Sequence, residues 1–542
     1  MTPQRISHAA ERDFARRVRD NQARLKSVLR EAYDFVVCGA GTAGSVVARR
    51  LAENPDVSVL LLEAGGDDDV PSVTNPLVWP ENLGTELDWG FLSEPNPQLG
   101  GRRLQMSMGK VLGGGSSINA MAWSRGHASD WDLFAAEADD QSWSYGSILD
   151  IYRRIEDWAG TPDPKYRGVG GEVFLQPPQD PHPVAVALHK SARSLGIPVY
   201  EHPNGRLMEN GIGVAFGDFR IRDGRRLSMF RSYTYPYMDR PNLTVLTRAV
   251  VHRLTFDDRR VVGVEVKYGG RVRRIAAAAE VIVSLGAINT PKLLMLSGLG
   301  DAQDLRAVGI PVVQQLRGVG QNLQDHTAFD CVWEYCDDPL PPRNNGSEAV
   351  IFDQFDATSV GPDMFVWQAQ MPLSTPENIA EYGLPEYGWT LFSAIAHPKS
   401  RGRVTISGSA PEDPVLVQTN ALSHPEDLVA ARRCVALCRE IGNAAPLSQF
   451  VRREVMPGDL SGAELDEFIR CATRTFWHQS GTAKMGRGEN AVVDSHLRVY
   501  GVENLRIADG SIMPRITTAN TMAPCVIIGE KAAGMIKTTH HI

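Results

Sequence analysis

Hydrophobic and polar positions repeat with two different periods along this chain: one is typical of helices and the other of strands. An apolar run at residues 35–38 leads through a glycine-rich turn into a helical pattern, and a second buried strand follows at Val57 to Leu62. Residues 243–287 alternate like a meander that ends in a buried strand, and residues 505–514 contain another strand. The order of strand, helix and strand at the start is typical of an α/β protein.

A different pattern occupies the region between these pieces. Residues 364–371, 387–408 and 414–420 alternate as antiparallel strands do, and residues 427–444 have the period of an amphipathic helix. Cys434 and Cys438 lie four residues apart on that helix. Because no second pair of metal ligands is near them in the sequence, we expect two small apolar side chains on a buried face.

Residues 1–31 predict a charged amphipathic helix that lies on the surface of the rest of the protein. The pair Arg16 and Arg17 is typical of an export signal, but the next residues, VRDNQARLK, contain no apolar segment to translocate. No run in the sequence is long enough to span a bilayer. We therefore expect a cytoplasmic protein.

Composition narrows the classes of function. A chain of 542 residues is too long for one compact domain of usual size, so two or three structural units are expected. A net charge of −8 without a basic block argues against nucleic acid and anionic membranes as partners. The seven scattered cysteines suit a reducing compartment, and no metal site is predicted.

The glycine-rich turn at residues 39–44, GAGTAG, predicts a dinucleotide site. Gly39 permits a tight turn, Gly41 lets the backbone approach a pyrophosphate, and Gly44 lets the helix pack against the strand. The amino terminus of that helix favours phosphate. Glu63, at the end of the second strand, is suited to the two hydroxyls of an adenosine ribose and would repel a 2′-phosphate. This pattern leaves NAD and FAD open.

A second glycine-rich stretch, GKVLGGGSSINAMAWSRG, covers residues 109–126. Its glycines allow backbone to lie against a flat ring, to which Asn119 offers amide groups. A loop followed by a helix cap at Ser116 or Ser117 has the same appearance, and the residues alone favour neither.

His478 and Asn520 are the candidate catalytic residues. His478 follows two aromatic residues in FWHQSGTAKMG, where a histidine taken singly is more often a structural residue of the core. Asn520 precedes an apolar helix with Pro524 in its first turn, so it is also a candidate N-cap. That helix amino terminus would stabilise negative charge placed before it.

The order of these motifs resembles the glucose-methanol-choline (GMC) flavoprotein oxidoreductases. The stretches GKVLGGGSSINAM and GAINTPKLLMLSGLG match the two signatures of that family, and VGQNLQDH, AHPKSRGRV, WHQSGTAKMG and IADGSIMP follow in the family's order. The resemblance runs from about Tyr33 to Ile536. It implies an α/β fold with a discontinuous Rossmann-like FAD-binding domain and a substrate domain of antiparallel sheet flanked by helices.

The resemblance also implies domain limits. Residues 32–160, 225–330 and 491–542 would form the FAD-binding domain, residues 161–224 and 331–490 the substrate-binding domain, and residues 1–31 an amino-terminal helical extension. Residues 67–100, rich in Pro, Asn, Asp and Gly, are expected to form a long ordered loop over the flavin.

Transferred residue by residue, the resemblance makes His478 the active-site base and Asn520 its partner across the substrate oxygen. Val251 would meet the adenine, Asp509 and Gly510 the ribityl chain and phosphates, and Trp477 the flavin or the substrate. The other expected cofactor-binding residues are Gly39, Gly41, Thr42, Ala43, Gly44, Glu63, Gly113, Gly114, Asn119, Met121 and Met522.

The implied reaction is FAD-dependent oxidation of a primary alcohol to an aldehyde. His478 would take the hydroxyl proton while hydride passes to the flavin, and oxygen or another acceptor would reoxidise it. An uncharged alcohol is expected, because the aromatic residues Trp367 and Trp389 lie in strand-like segments rather than in an evident cation cage. The alternatives are a lyase or photodecarboxylase on the same scaffold, or a flavin-binding structural protein.

Three positions depart from the family pattern. Ile118 stands where some members carry a histidine that tethers FAD, so noncovalent FAD is expected. Met108 stands where an arginine is common, and Gln479 where a proline often follows the histidine.

Overall fold

The first apolar run forms the strand Ala32–Cys38 in the middle of a seven-stranded sheet. This strand pairs in parallel with Val59–Leu62 on one side and with residues 276–283 of Arg271–Val283 on the other. Strands covered on both faces need apolar side chains throughout, which explains the unbroken run before the glycine turn. The computed structural model describes residues 8–542 of the chain.

This first sheet contains the predicted meander and the predicted late strand. Its order is Leu243–Leu246, Val59–Leu62, Ala32–Cys38, Arg271–Val283, Arg260–Tyr268 and Val250–Asp257, with Leu505–Ile507 also paired to Arg271–Val283. The parallel strands end at one edge, and ligands bind at this edge in open α/β sheets.

Two helices pack closely against each other beside this edge. Thr42–Leu51 follows the glycine turn, and Met522–His540 lies across it. A Cβ atom at Gly529 would lie 2.9 Å from the carbonyl oxygen of Ala43. The absence of a side chain at Gly529 therefore permits the close approach of these helices.

The predicted amino-terminal helix is present as His8–Ser27, while residues 1–7 of the predicted segment lie outside the described residues. Its contact with the first sheet is made by Gln22. The buried side chain of Gln22 donates to the carbonyl oxygens of Met238 and Leu243 and accepts from the amide of Val245. The helix thus lies against the edge strand Leu243–Leu246.

The second sheet is antiparallel and has its own apolar core. Its order is Val451–Met456, Thr327–Tyr335, Gly388–Ile395, Met364–Ala369, Ala349–Asp353 and Gly213–Phe216, with Arg474–Thr475 also paired to Thr327–Tyr335. The predicted helix forms Pro425–Gly442 and packs on this sheet, and Cys434 and Cys438 are buried on it as expected.

Part of the expected sheet lies elsewhere. Arg403–Ile406 and Val415–Gln418 pair only with each other, in a two-stranded hairpin that packs on the helix Gly286–Leu296. Their alternating pattern indicates that one face of the hairpin is buried, and in this structure a helix covers that face. Residues 67–100 are not a continuous loop, because they contain Pro71–Thr74, Pro76–Asn82, Phe91–Leu92 and Pro97–Leu99.

The remaining elements surround the two sheets. The helices of six or more residues not yet given are Ala128–Ala138, Tyr145–Ile155, Pro183–Ser194, Ala302–Ala307, Pro376–Tyr382 and Gly462–Ala472. Short strand pairs are Phe91–Leu92 with Gln105–Met106, Ala122–Trp123 with Asp218–Phe219, Glu156–Trp158 with Val173–Leu175, Ile221–Arg222 with Arg225–Arg226, and Leu299–Gly300 with Gln314–Gln315. Between residues 8 and 542, none of the helices combines the length and apolar character that crossing a bilayer requires.

Candidate active site

A cavity of about 460 Å³ extends from the ends of the parallel strands to the second sheet. Most residues predicted for the site line it: Gly39, Gly41, Thr42, Ala43, Glu63, Gly114, Asn119, Val251, Trp477, His478, Asp509, Gly510, Asn520 and Met522. The folded chain therefore brings together residues that are up to 483 positions apart, from Gly39 to Met522.

Gly44, Gly113 and Met121 do not line this cavity. A Cβ atom at Gly44 would lie 1.9 Å from the carbonyl oxygen of Gly39, and one at Gly113 would lie 2.2 Å from the hydroxyl of Ser117. Met121 is fully buried in the apolar cluster that contains Trp477. The close approaches at Gly44 and Gly113 require glycine, and the contact of all three residues with a cofactor stays a prediction.

The two glycine loops lie against each other at the mouth of the helix Thr42–Leu51. A Cβ atom at Gly114 would lie 2.8 Å from the Cα of Gly41, whereas one at Gly41 would meet no atom closer than 4.0 Å. No side chain among the described residues caps this helix. Its first amides are therefore left for an anionic ligand, such as a pyrophosphate, in the cavity.

Glu63 and Asp509 are the carboxylates on the strand-end side of the cavity. Glu63 accepts hydrogen bonds from the amides of Ala40 (3.0 Å) and Gly65 (2.9 Å), and burial raises its pKa to about 7. Asp509 accepts from the amide of Gly286 (2.9 Å) and from the hydroxyl of Thr290 (2.6 Å). Both carboxylates are held in place by the protein and lie where the FAD ribose and ribityl contacts are expected.

His478 presents one ring nitrogen to each of two partners. Its Nδ1 lies 2.8 Å from Nδ1 of His326, and its Nε2 lies 3.3 Å from the Nδ2 of Asn520. Phe476 stacks on the imidazole at 5.0 Å between ring centroids. Burial lowers the pKa of His478 to about 3, so the ring is neutral at neutral pH.

The hydrogen bonds around Asn520 identify which nitrogen of His478 accepts. The Asn520 carboxamide oxygen accepts from the hydroxyl of Ser124 at 3.1 Å, which turns its NH₂ group toward His478. His478 Nε2 therefore accepts, and the proton of this neutral ring is on Nδ1, where it is donated to His326. The free lone pair of His478 thus lies at Nε2, the atom next to Asn520.

Asn520 is not an N-cap. The helix begins at Met522 with Thr521 at the capping position, and the Asn520 side chain bonds to Ser124 and His478 instead. Of the two interpretations that the sequence left open, the contacts favour the site.

His326 and Asp325 contact His478 and were not predicted from the sequence, although both lie in the VGQNLQDH stretch. His326 is completely buried, and burial lowers its pKa well below the usual value. Asp325 accepts from the backbone amide of His478 (2.9 Å) and from the hydroxyl of Thr475. The two neighbours thus hold the backbone and the ring of His478.

Gln479 gives the site a further anchor. Its carboxamide NH₂ donates to the Asp325 carboxylate at 3.0 Å and to the Thr475 hydroxyl at 3.1 Å. Burial raises the pKa of Asp325 to about 7 despite these bonds. The amide that replaces the expected proline therefore helps to hold the carboxylate behind His478.

Part of the cavity lining is aromatic. Trp79, Trp367, Phe392, Phe476 and Trp477 line the cavity, with Trp79 edge-on to Trp477 and Phe392 stacked on Phe476. Trp79 comes from the 3₁₀ helix Pro76–Asn82, so the segment expected to cover the flavin does border the cavity. Trp389 is fully buried and stacked on Trp333, in the core of the second sheet.

Comparisons with known proteins show which family the sequence matches. Family models described as GMC oxidoreductase match residues 33–328 and 398–529. An oxygen-dependent choline dehydrogenase of Brucella anthropi is 36% identical over 531 residues, which cover 93% of this chain and 95% of that protein.

Solved structures are similar over nearly the whole chain. The pyridoxine 4-oxidase from Mesorbium loti superposes with a TM-score of 0.88 at 32% identity, covering 94% of this chain and 99% of that one. A formate oxidase from Aspergillus oryzae, described for its FAD modification, superposes with a TM-score of 0.85 at 26% identity, covering 94% and 99%.

The chain belongs to the GMC oxidoreductase family. It is an FAD-dependent oxidoreductase that acts on alcohol groups, which confirms the predicted fold class, cofactor and reaction. The relatives named above are oxidases and a dehydrogenase, so they lend no support to the lyase alternative.

Proposed function

We propose that this enzyme oxidises an uncharged primary alcohol to its aldehyde, with His478 as the base and Asn520 as the group that orients the substrate oxygen. The observation that carries the proposal is the pair of atoms His478 Nε2 and Asn520 Nδ2, which lie 3.3 Å apart in the cavity. One is an acceptor and the other a donor, and a hydroxyl group needs one of each.

His478 is prepared to take a proton at Nε2. Its low pKa, caused by burial, keeps it neutral, and His326 holds the existing proton at Nδ1. The alcohol proton then moves to Nε2, while the carbon-bound hydrogen leaves with its electron pair. When bound, FAD supplies the acceptor for that hydride. The alcohol loses one proton and one hydride, and the product is the aldehyde.

Asn520 holds the substrate oxygen without taking its proton, since a carboxamide does not titrate. The Ser124 hydroxyl fixes its orientation. The oxygen therefore gains a hydrogen bond that is kept as negative charge develops on it, which lowers the barrier to proton transfer.

An uncharged substrate fits the aromatic wall better than a cation such as choline. The guanidinium of Arg474 lines the cavity and lies 4.2 Å from the centroid of Phe392 and 6.0 Å from that of Trp477. A cation therefore already lies over Phe392 and near Trp477, and its positive charge would repel a quaternary ammonium group at these two rings. Its partner Asp330, 2.7 Å away, is completely buried and is not among the cavity-lining residues.

Acidic side chains in the cavity do not change this conclusion. Among the residues that the structure describes, only Glu63 and Asp509 contribute carboxylates to the lining, and both already accept backbone hydrogen bonds at the strand ends. A trimethylammonium group in the part of the cavity lined by His478 would be repelled by the guanidinium of Arg474, and no carboxylate among the described lining residues there would attract it. We therefore assign this enzyme to a different substrate from the choline named for its relative.

For the cofactor, we propose noncovalent FAD in the same cavity. Ile118 lines the cavity at the position that tethers FAD elsewhere in the family, and its side chain forms no bond to a flavin. The cradle of Gly41 and Gly114, the uncapped helix and the carboxylate of Glu63 suit a pyrophosphate and a ribose. The domain limits given above and a cytoplasmic location are kept as part of the proposal.

Oxygen is the proposed electron acceptor. The relatives are named an oxygen-dependent dehydrogenase and two oxidases. Hydrogen peroxide formed in step with aldehyde supports this assignment, and turnover that requires an added dye in air contradicts it.

Substrate charge is tested by anaerobic mixing of the purified holoenzyme with benzyl alcohol, hexan-1-ol and choline. We expect benzyl alcohol or hexan-1-ol to bleach the flavin band at least tenfold faster than choline. Faster bleaching by choline would contradict the neutral-substrate assignment while leaving alcohol oxidation intact. Product without bleaching would contradict the oxidative role itself.

A further inference from the structure

Two arginines lie buried behind the glycine loop and converge on one atom. Arg220 is completely buried and Arg226 is 4% exposed. The carboxamide oxygen of Asn119 accepts from Arg220 Nη2 at 2.8 Å, from Arg226 Nη1 at 3.1 Å and from the amide of Met121 at 3.0 Å. Neither arginine lines the cavity, but Asn119 does.

These three donors fix the orientation of the Asn119 side chain. Three N–H groups can only converge on an oxygen, so the NH₂ of Asn119 must point elsewhere. Within residues 8–542 it has no hydrogen-bonding partner, although the half-buried side chain borders the cavity. Asn119 is thus held with its donor group available to a ligand.

Both arginines also place positive charge behind the loop without direct compensation. No ion pair joins either one to a carboxylate in the part of the chain that the structure describes. Burial lowers the pKa of Arg220 to about 9, and burial together with the charge of Arg220 lowers the pKa of Arg226 well below its usual value. Asp68 acts on Arg226 from a distance, but its carboxylate is bound by Arg231 and Ser228.

Such an arrangement is costly, because buried cations are normally paired. Each arginine does satisfy part of its hydrogen-bonding capacity with carbonyl groups: Arg220 donates to Leu227, and Arg226 donates to Val73 and Asn119. Carbonyl groups solvate the guanidinium groups but do not cancel their charge. Negative charge placed at the loop would stabilise both.

The loop reaches the cavity at the end that holds His478. The carbonyl of Ala120, next to Asn119, accepts from Asn345 at 2.6 Å, and the carbonyl of Asn345 accepts from Trp79 at 3.1 Å. Trp79 in turn packs edge-on against Trp477, with 6.3 Å between ring centroids. These contacts connect the backbone next to Asn119 with the aromatic residues at the His478 end of the cavity.

We propose that Arg220 and Arg226 are positioning residues for FAD: they turn the Asn119 amide toward the bound cofactor and, by their charge, favour its reduced state. This inference rests on FAD binding and is independent of which alcohol is oxidised. Reduction adds two electrons to the cofactor, so nearby positive charge stabilises the reduced form more than the oxidised form.

The direct test is the midpoint potential of bound FAD, titrated with dithionite in the absence of alcohol. We expect Arg220→Met and Arg226→Met each to lower the potential by at least about 30 mV, a tenfold weaker preference for the reduced form of a two-electron couple. Unchanged potentials in both variants, with FAD bound, would overturn the proposal. Weaker FAD binding at an unchanged potential would also overturn it.

Arg506→Met is the matched control. Arg506 is 1% exposed and pairs with Glu280 at 3.3 Å, away from the cavity lining. Its loss is expected to lower the melting temperature without moving the potential. An equal change of potential in this variant would show that the effect follows from destabilisation and would count against the proposal.

If the methionine variants do not retain FAD, lysine variants provide a second test, which separates the effect of the charge from that of the hydrogen bonds to Asn119. Arg220→Lys and Arg226→Lys preserve the charge but lose the planar geometry that bonds Asn119. We expect potentials close to that of the parent enzyme and at least tenfold weaker FAD binding. Parent-like FAD affinity in both lysine variants would show that Asn119 is not held by these residues.

Discussion

The Nδ1 atoms of His326 and His478 lie 2.8 Å apart, and their rings are nearly perpendicular at 89°. Two nitrogens at this distance share one proton, which the hydrogen bond from Asn520 assigns to His478. The buried His326 therefore determines which tautomer His478, the proposed base, adopts. In the proposed mechanism His326 acts through His478, because its own ring does not line the cavity.

Replacing His326 by leucine should slow reduction of the flavin by alcohol about a hundredfold, because His478 can then place its proton on Nε2 and lose its free lone pair. His326→Gln is the control, since its carboxamide oxygen can still accept from Nδ1. The measurement is the anaerobic rate of flavin bleaching by a saturating alcohol. Equal rates in the leucine and glutamine variants would show that the hydrogen bond does not set the tautomer.

Loss of the Ser124 hydroxyl tests the orientation of Asn520. Ser124→Ala removes the 3.1 Å hydrogen bond to its carboxamide oxygen. One hydrogen bond of about 1 kcal/mol corresponds to a several-fold change in rate. We expect a three- to tenfold slower reduction with little change in FAD affinity, measured by stopped-flow mixing and by FAD titration. A larger fall in FAD affinity than in rate would place Ser124 at the cofactor instead.

The two glycine positions separate cofactor binding from folding. Gly41 has space for a Cβ atom and a φ of −70°, so Gly41→Ala should fold normally but bind FAD at least tenfold more weakly. Gly44→Ala should fail to fold, since its Cβ would lie 1.9 Å from a carbonyl oxygen. Gly534→Ala, which meets no atom within 4 Å, is the control. Parent-like FAD affinity in Gly41→Ala would reject the pyrophosphate assignment.

His189 makes the stability of the fold depend on pH. Its ring stacks on Phe216 at 3.9 Å, and burial lowers its pKa to about 4. The unfolded chain therefore binds more protons below pH 6.5, so this contribution to stability is present above pH 6.5 and is lost as pH falls toward 4. Between pH 7 and pH 5 the loss is about 1–2 kcal/mol.

His189→Leu should remove that part of the pH dependence. Urea unfolding gives the free energy of unfolding of the parent and of the variant at pH 7 and at pH 5. The loss of stability between the two pH values is then compared between the two proteins. We expect the variant to lose less stability than the parent on acidification. An identical loss in both proteins would show that His189 is not protonated on unfolding.

Local patterns predicted most of the first sheet, because its strands and glycine turns are dictated by neighbouring residues. The run before Gly39 needs apolar side chains on both faces, and Gly44 must approach a carbonyl oxygen. The hairpin of Arg403–Ile406 and Val415–Gln418 was placed in the wrong sheet, because an alternating pattern shows that one face is buried but not what buries it.

The resemblance predicted His478 and Asn520 as the catalytic pair, which stays a proposal, but it did not predict the residues that hold them in place. His326 lies 152 residues from His478, and Ser124 lies 396 residues from Asn520, so neither contact leaves a local signal. Arg220 and Arg226 look like ordinary charged residues in the sequence. Only the fold shows that they are buried behind Asn119.

The central claim is that His478 removes the alcohol proton beside bound FAD. It is tested most directly by reducing the parent enzyme, His478→Ala and Asn520→Ala anaerobically with the best alcohol of the panel, at matched FAD content. We predict that His478→Ala keeps its FAD and is reduced about a thousandfold more slowly, with a smaller loss in Asn520→Ala. Reduction of His478→Ala at the parent rate would contradict the account.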